Sequence, residues 1–395
     1  MNKIKKVYLD YAGTTPMDTQ VKRVILRYMD ESWGNSSSVH EYGRKASELI
    51  DQSRIKVARV LGCKDHEIIF TGSGTESDNL AILGIARAYK KLGNHIVTSK
   101  IEHPAVLQAC RYLEENEGFK LTYVSVDSRG LVNPDEISKS LTNKTILVSI
   151  MYANNEIGTI QPIAEIAKII KERRDNKKTV GLRVPFFHTD ACQAAGALNI
   201  KINNLGVDLM TLNGSKIYGP KATGCLSVKR GINLIPILLG GLQEMGRRAG
   251  TENQALIAGF AEALELSDQS RGKESTRLTE LRDYAVYEIK KKIPGSHLNG
   301  DQKKRLPNNI NFSFEGVDGE MLMIKLDQAG IMVSTGSACT TTSTEPSHVL
   351  EALRLGPDLV NGNIRITLGR QTNKKDIDHV LKKLYYIVGK LRKTF

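Results

Sequence analysis

The sequence predicts an α/β protein: a large domain with a mainly parallel sheet over residues 1–255, then a linking helix and a smaller α+β domain over 256–395. Three observations predict it. The chain has 395 residues, 40% of them hydrophobic and 25% charged, which suits about two to three ordinary globular domains and no fibrous or disordered class. From Cys63 onward, short β-branched or aromatic runs alternate with longer amphipathic stretches, the rhythm of parallel strands with crossover helices. After Pro294-Gly295 the rhythm changes to an alternating strand, a helix, two more strands and a final helix.

Taken in order, a run at 68–71 precedes a helical stretch over 76–92, one at 96–99 precedes 104–114, and one at 146–150 precedes 163–174. Each run is short and apolar, as strands buried on both faces are. Further strands are expected over 185–189, 208–212 and 224–228. Two helices follow, 254–266 and 276–293, separated by the polar run Ser267-Asp268-Gln269-Ser270-Arg271-Gly272. The small domain is expected to hold a strand over 309–314, a helix over 319–329, strands near Met332 and over 364–368, and a helix over 374–393. Residues 1–20 are expected to pack with it.

Lysine and arginine exceed aspartate and glutamate by 56 to 43, a net charge of +13. The excess is dispersed, and clusters such as Lys290-Lys291-Lys292 lack the interleaved aromatics of single-strand nucleic-acid binders, so no nucleic-acid partner is expected. No run of about 18 apolar residues argues for a membrane span, and the basic start leads straight into Val7-Tyr8-Leu9-Asp10 with no apolar signal core. The five cysteines (Cys63, Cys110, Cys192, Cys225 and Cys339) are widely spaced with no C-x-x-C pair. That pattern gives neither a disulfide framework nor a metal site and suits a reducing cytoplasm.

Three segments carry chemistry. Thr71-Gly72-Ser73-Gly74-Thr75-Glu76 lies at a strand-to-helix junction, either a phosphate cradle at a helix start or a tight turn with an N-cap. It is not a P-loop, because no Gly-Lys-Ser/Thr follows. Asp190, just past an apolar strand, is either a helix N-cap or an acid facing the ligand crevice at a strand's carboxyl end. Twenty-six residues on, Lys216 stands in Asn213-Gly214-Ser215-Lys216 after another strand. A phosphate cradle, a carboxylate and an amine on three strand ends match what pyridoxal 5'-phosphate needs: a Schiff-base lysine, a partner for the pyridinium nitrogen and a phosphate cup.

With Tyr8-Leu9-Asp10-Tyr11-Ala12, Glu102-His103-Pro104, Asn154-Asn155-Glu156-Ile157-Gly158, Arg247-Arg248-Ala249-Gly250-Thr251-Glu252-Asn253 and Ser334-Thr335-Gly336-Ser337-Ala338-Cys339-Thr340, the chain resembles the cysteine desulfurases of the class V aminotransferase group. The resemblance runs in order from about residue 7 to about residue 390. The cysteine segment resembles that of the subgroup serving iron–sulfur cluster assembly.

The resemblance implies that Lys216 holds the cofactor, Asp190 pairs with its ring nitrogen, and His103 stacks on the ring and shuttles protons. Gln193 would bond the phenolic oxygen, with Asn155 near that oxygen and the substrate carboxylate. Gly74, Thr75, Asn213 and Ser215 would hold the phosphate, and Thr251 would reach it from the second subunit of a homodimer. Arg365 would clamp the carboxylate of L-cysteine through its planar fork. Cys339, among small polar residues that predict an exposed loop, would take the sulfur as a persulfide. An acceptor protein, such as an iron–sulfur scaffold or a tRNA-thiolation relay, would receive it.

Some positions depart from the family pattern: Ser215 replaces a usual histidine, Leu242 a glycine and Ser36 a proline, and Gly72-Ser73-Gly74 replaces the commoner Ser-Gly-Gly or Ser-Gly-Ala. A selenocysteine lyase or another pyridoxal phosphate lyase on the same fold stays open, as does a non-catalytic assembly scaffold.

Overall fold

The computed structural model describes residues 5–175, 184–336 and 346–393. Its strands, in chain order, are β1 (Val7–Tyr8), β2 (Ile68–Thr71), β3 (His95–Ser99), β4 (Lys120–Val124), β5 (Thr145–Ser149), β6 (Phe186–Asp190), β7 (Leu209–Asn213), β8 (Gly224–Val228), β9 (Ser296–Leu298), β10 (Asn309–Phe314), β11 (Ile331–Met332) and β12 (Asn363–Thr367). Seven of them form one sheet in the order β2-β8-β7-β6-β5-β3-β4. Only β8 runs against its neighbours β2 and β7; the other pairs are parallel.

Helices cover both faces, so the strands are apolar throughout and neighbouring residues enter different cores. In β6, Phe187 packs with Val57, Met210 and Phe260 on one face, whereas Phe186 packs with Leu80, Leu147 and Leu226 on the other. The edge strand β4 escapes the sequence pattern because only one of its five residues is fully buried. A separate apolar core joins β10 and β12 to the helix Lys374–Leu391 and to the far end of the long helix, through Phe312, Phe314, Ile364, Leu384, Val286 and Ile289. Val7 and Leu9 belong to this core, and β1 pairs with β11.

One expectation is corrected. Residues 254–266 and 276–293 are not two helices but parts of a single helix, Gln254–Lys292, 39 residues long. The intervening polar residues are absorbed by local bonds rather than breaking the turn. Ser267 Oγ donates to Ile217 O at 3.0 Å, Ser270 Oγ donates to Leu266 O at 2.7 Å, and Arg271 pairs with Asp268 at 3.2 Å. Gly272 costs only about 1 kcal/mol relative to alanine, and the tertiary packing of the flanking turns outweighs that.

The carboxyl ends of β2, β3, β5, β6 and β7 lie along one edge of the sheet. That edge is where open α/β sheets place ligands, and the segments singled out by chemistry leave the sheet there.

Candidate active site

The helix Gly74–Tyr89 begins directly after β2. Ser73 is its N-cap, with Oγ accepting from Glu76 N at 3.0 Å, and the first N–H groups of a helix have no intrahelical acceptor and attract anions. A Cβ on Gly74 would lie 2.9 Å from Cys192 Sγ and 3.3 Å from Asn213 Cβ, so only glycine allows this close approach. The nearby Glu76 carboxylate is spent elsewhere: Gly72 N donates to it at 2.7 Å and Arg248 Nε at 2.8 Å. Asn213 Oδ1 accepts from both Ser215 N (2.9 Å) and Ser215 Oγ (3.0 Å). Thr75 and Thr251 are exposed on the chain's surface.

Lys216 ends a single 3-10 turn, Gly214–Lys216, at the carboxyl end of β7. Its Nζ donates to Ala12 O at 2.9 Å and also to Gly13 O. Gln193 Nε2 donates to the same Ala12 O at 3.0 Å, and Thr15 N and Oγ1 each reach Ser215 O at 2.9 Å. The N-terminal segment 12–15 thus lies across the lysine turn. Asp190, the last residue of β6 rather than one beyond it, is buried, and its Oδ1 accepts from Cys192 N at 2.8 Å. His103 is the N-cap of the helix Pro104–Glu117, its Nδ1 accepting from Ala105 N at 3.1 Å, so in the neutral ring the proton sits on Nε2. Burial lowers the His103 pKa, against the charge of Asp190, which raises it; Lys216 and His348 lower it further.

Arg365 is the middle residue of β12 and is 3% exposed. Nη1 donates to the backbone oxygen of Asn155 at 3.1 Å and Nη2 to Asp10 Oδ1 at 2.9 Å. Among the described residues its Nε is buried with no hydrogen-bond partner, a donor left over for a ligand. Cys339 lies outside the described residues.

Beneath these groups lies a polar layer in which Asp78 and His188 were given no role by the sequence, Glu102 appeared only within a motif and Cys192 only as a cysteine. His188, fully buried in β6, contacts Ser149 Oγ through Nδ1 at 2.9 Å and Thr211 Oγ1 through Nε2 at 3.0 Å, with Asp78 Oδ1 3.6 Å away. Burial pushes its pKa down to about 4. Burial, reinforced by the charge of Asp190, pushes the Asp78 carboxyl far up, and among the described residues its Oδ1 has no hydrogen-bond partner. Glu102 is likewise lifted by burial to about 8, while Ser99 and the Met151 N–H bond its carboxyl. Cys192 is held as a thiol, chiefly by burial and then by Asp190 and Asp78. Spacing was the available signal. Asp78 is four residues past Gly74 on one helix and His188 two before Asp190 on one strand, so each shares a face with a chosen residue.

The set suits pyridoxal 5'-phosphate. An amine and a carboxylate stand at neighbouring strand ends, a helix start with no room for a Cβ faces them, and a histidine feels the charge of both. Comparison with known proteins agrees. The family model "Aminotransferase class-V" matches residues 7–380. The cysteine desulfurase IscS of Dictyoglomus turgidum is 48% identical over 388 residues, 98% of this chain and 96% of that one. The cysteine desulfurase IscS of Methanosarcina thermophila is 46% identical over 98% of this chain and 93% of its own. Among solved structures, a NifS-like protein superposes with a TM-score of 0.89 at 35% identity, covering 98% of this chain and 100% of that one. The chain therefore belongs to the class-V aminotransferase family and, within it, to the cysteine desulfurases.

Proposed function

We propose that the chain takes sulfur from L-cysteine, leaving L-alanine and a persulfide on Cys339, and that this sulfur passes to an acceptor thiol in iron–sulfur cluster assembly or tRNA thiolation. The observation that carries the reading is the convergence of Lys216, Asp190 and His103 at the sheet edge, beside the spare Nε donor of buried Arg365. Pyridoxal phosphate, when bound, supplies an electron sink for the electron pair left at the substrate α-carbon.

The chain's residues do the rest. Arg365 binds the cysteine carboxylate through Nε, while its bonds to Asp10 and Asn155 hold the guanidinium plane. Lys216 Nζ, as the neutral amine, takes the α-proton, and the carbonyls of Ala12 and Gly13, which accept from Nζ, hold the ammonium so formed. His103, whose pKa burial lowers, spends Nδ1 on its helix cap and keeps Nε2 as the ring nitrogen that exchanges a proton with the substrate. The Cys339 thiolate attacks the substrate sulfur, so the carbon–sulfur bond breaks as the sulfur–sulfur bond forms and no outside oxidant is consumed. Gln193 and Asn155 would border the ring, and Gly74, Thr75, Asn213 and Ser215 would border the phosphate.

We assign the working unit as a homodimer in which Thr251 serves the partner's phosphate site. Its support is the exposure of Thr251, with Leu239 and Leu242 on the same connection 83% and 87% exposed, an apolar surface that a second copy would cover. Among the described residues no helix is long and apolar enough to cross a membrane. Incubating the holoenzyme with L-cysteine and a reductant should release sulfide and alanine in equal amounts. The Cys339→Ala variant should still bind cofactor and cysteine, form no persulfide and release almost no sulfide. Wild-type sulfide release by that variant would replace this reading with a lyase that has no sulfur carrier.

A further inference from the structure

Glu156 follows Asn155 and is 5% exposed, yet it stacks on no ring and takes no part in the steps above. Its surroundings are unusual for a buried carboxylate. Ser347 Oγ donates to Oε2 at 2.6 Å. The same Oε2 would lie only 2.3 Å from a Cβ built on Gly336, so the backbone at 336 comes down directly onto this oxygen. The chain before residue 337 and the chain after residue 345 therefore meet on one carboxylate oxygen, and Cys339 lies between them in sequence. The backbone of Glu156 is fixed in turn: Asn309 Nδ2 and Asn311 Nδ2, both on β10, donate to its carbonyl at 3.0 and 3.1 Å. Asn363 completes the link, since its Oδ1 accepts from Gly336 N at 3.0 Å. Two residues earlier, Ser334 exchanges two backbone bonds with Arg365, the residue assigned to the substrate carboxylate. Arg365 is also a charge that acts on the Glu156 carboxyl.

We propose that Glu156 is a positioning residue for sulfur transfer, holding Gly336 and Ser347 together beside the Asn155–Arg365 end of the site so that the cysteine between them starts from a fixed base. The proposal rests on the desulfurase reading. Its physical content is that chemistry between two sulfurs is sensitive to placement, and a misplacement of about 1 Å costs about 10²-fold in rate. A side chain at Gly336 would press on that carboxylate oxygen.

The test is a single-turnover measurement on the holoenzyme with two readouts: the cofactor absorbance change when L-cysteine binds, and persulfide on Cys339 trapped by alkylation and read by mass spectrometry. Glu156→Ala should leave the absorbance change and its cysteine dependence close to wild type and slow persulfide formation by about 10²-fold. Glu156→Gln, which keeps an acceptor for Ser347, should recover most of the rate. Gly336→Ala should slow persulfide formation similarly, and Gly336→Ala/Glu156→Ala should be no slower than either single variant, because both break one contact. A wild-type persulfide rate in Glu156→Ala would overturn the proposal, as would equal losses of cysteine binding and persulfide, or multiplying losses in the double variant. If the wild-type holoenzyme itself forms no persulfide on Cys339, the desulfurase reading is what fails.

Discussion

His103 and His188 both feel the charge of Asp190, yet one belongs to the cleft and the other to the layer beneath it. His103 caps a helix, is half-buried and uses one ring nitrogen on its own backbone. His188 is fully buried, with both ring nitrogens on hydroxyls of neighbouring strands. The same contrast separates the half-buried Lys216 from the buried Asp78 and Glu102. Groups in the cleft keep a donor or a proton that a ligand can use, while the buried groups hold the sheet edge in place and are shifted toward neutrality, because charge inside an apolar interior is costly. Replacing a cleft residue should therefore remove chemistry and spare the fold. Replacing a residue of the buried layer should change stability, and with it the response to pH.

The sharpest break of that contrast is Lys216→Ala. Among the described residues no other amine is placed on the carbonyls of Ala12 and Gly13, so turnover should fall by about 10³-fold or more while the melting temperature of the cofactor-free protein stays near wild type. Steady-state sulfide release and thermal melts check both halves. A fully active Lys216→Ala with an inactive Lys221→Ala would move the site to the other lysine. Arg365→Ala should come next, weakening cysteine binding by about 10²-fold, the usual loss for a charge-assisted contact to a carboxylate, with cofactor retained. Arg365→Lys should not restore it, since a single ammonium cannot bond Asp10, Asn155 and a substrate carboxylate in one plane. Titrating the cofactor absorbance with L-cysteine measures this directly.

The fold was legible because both-faces-buried strands leave continuous apolar runs, as at 68–71 and 224–228, where the observed strands have the same bounds. Strand β4 was not legible, because an edge strand with Lys120 exposed carries no such run. Nor was the continuity of the helix Gln254–Lys292, where serines that usually mark turns bond instead to Ile217 and Leu266. In the site, Gly74, Asp190 and Lys216 could be singled out in the sequence because each ends or follows an apolar strand and the three together suit one cofactor, while the roles given to single residues came from the family resemblance. The carbonyls of residues 12 and 13, the Asp10–Arg365 pair and the Glu156 contacts could not, since each joins residues far apart in the chain and backbone atoms have no sequence signature.

The smallest effect concerns His188, where the contrast is tested by pH rather than by loss of function. Its folded pKa is held down at about 4, against an ordinary value near 6.5. Between those values the unfolded chain carries a proton here that the folded chain does not, so this residue's contribution to stability falls as pH falls. From pH 7 to pH 5 the loss is about 2 kcal/mol. Asp78 and Glu102 act in the opposite sense, because their raised pKa values favour the folded state on acidification. The wild-type curve alone therefore mixes signs, and the informative quantity is the difference between wild type and His188→Gln, a side chain of similar reach with no proton to gain. Denaturant unfolding at pH 7 and pH 5 should show wild type losing about 2 kcal/mol relative to the variant. A gap that does not change with pH would mean that His188 is charged or solvated in the folded protein, and the division into a reactive cleft and a neutral layer beneath it would then fail.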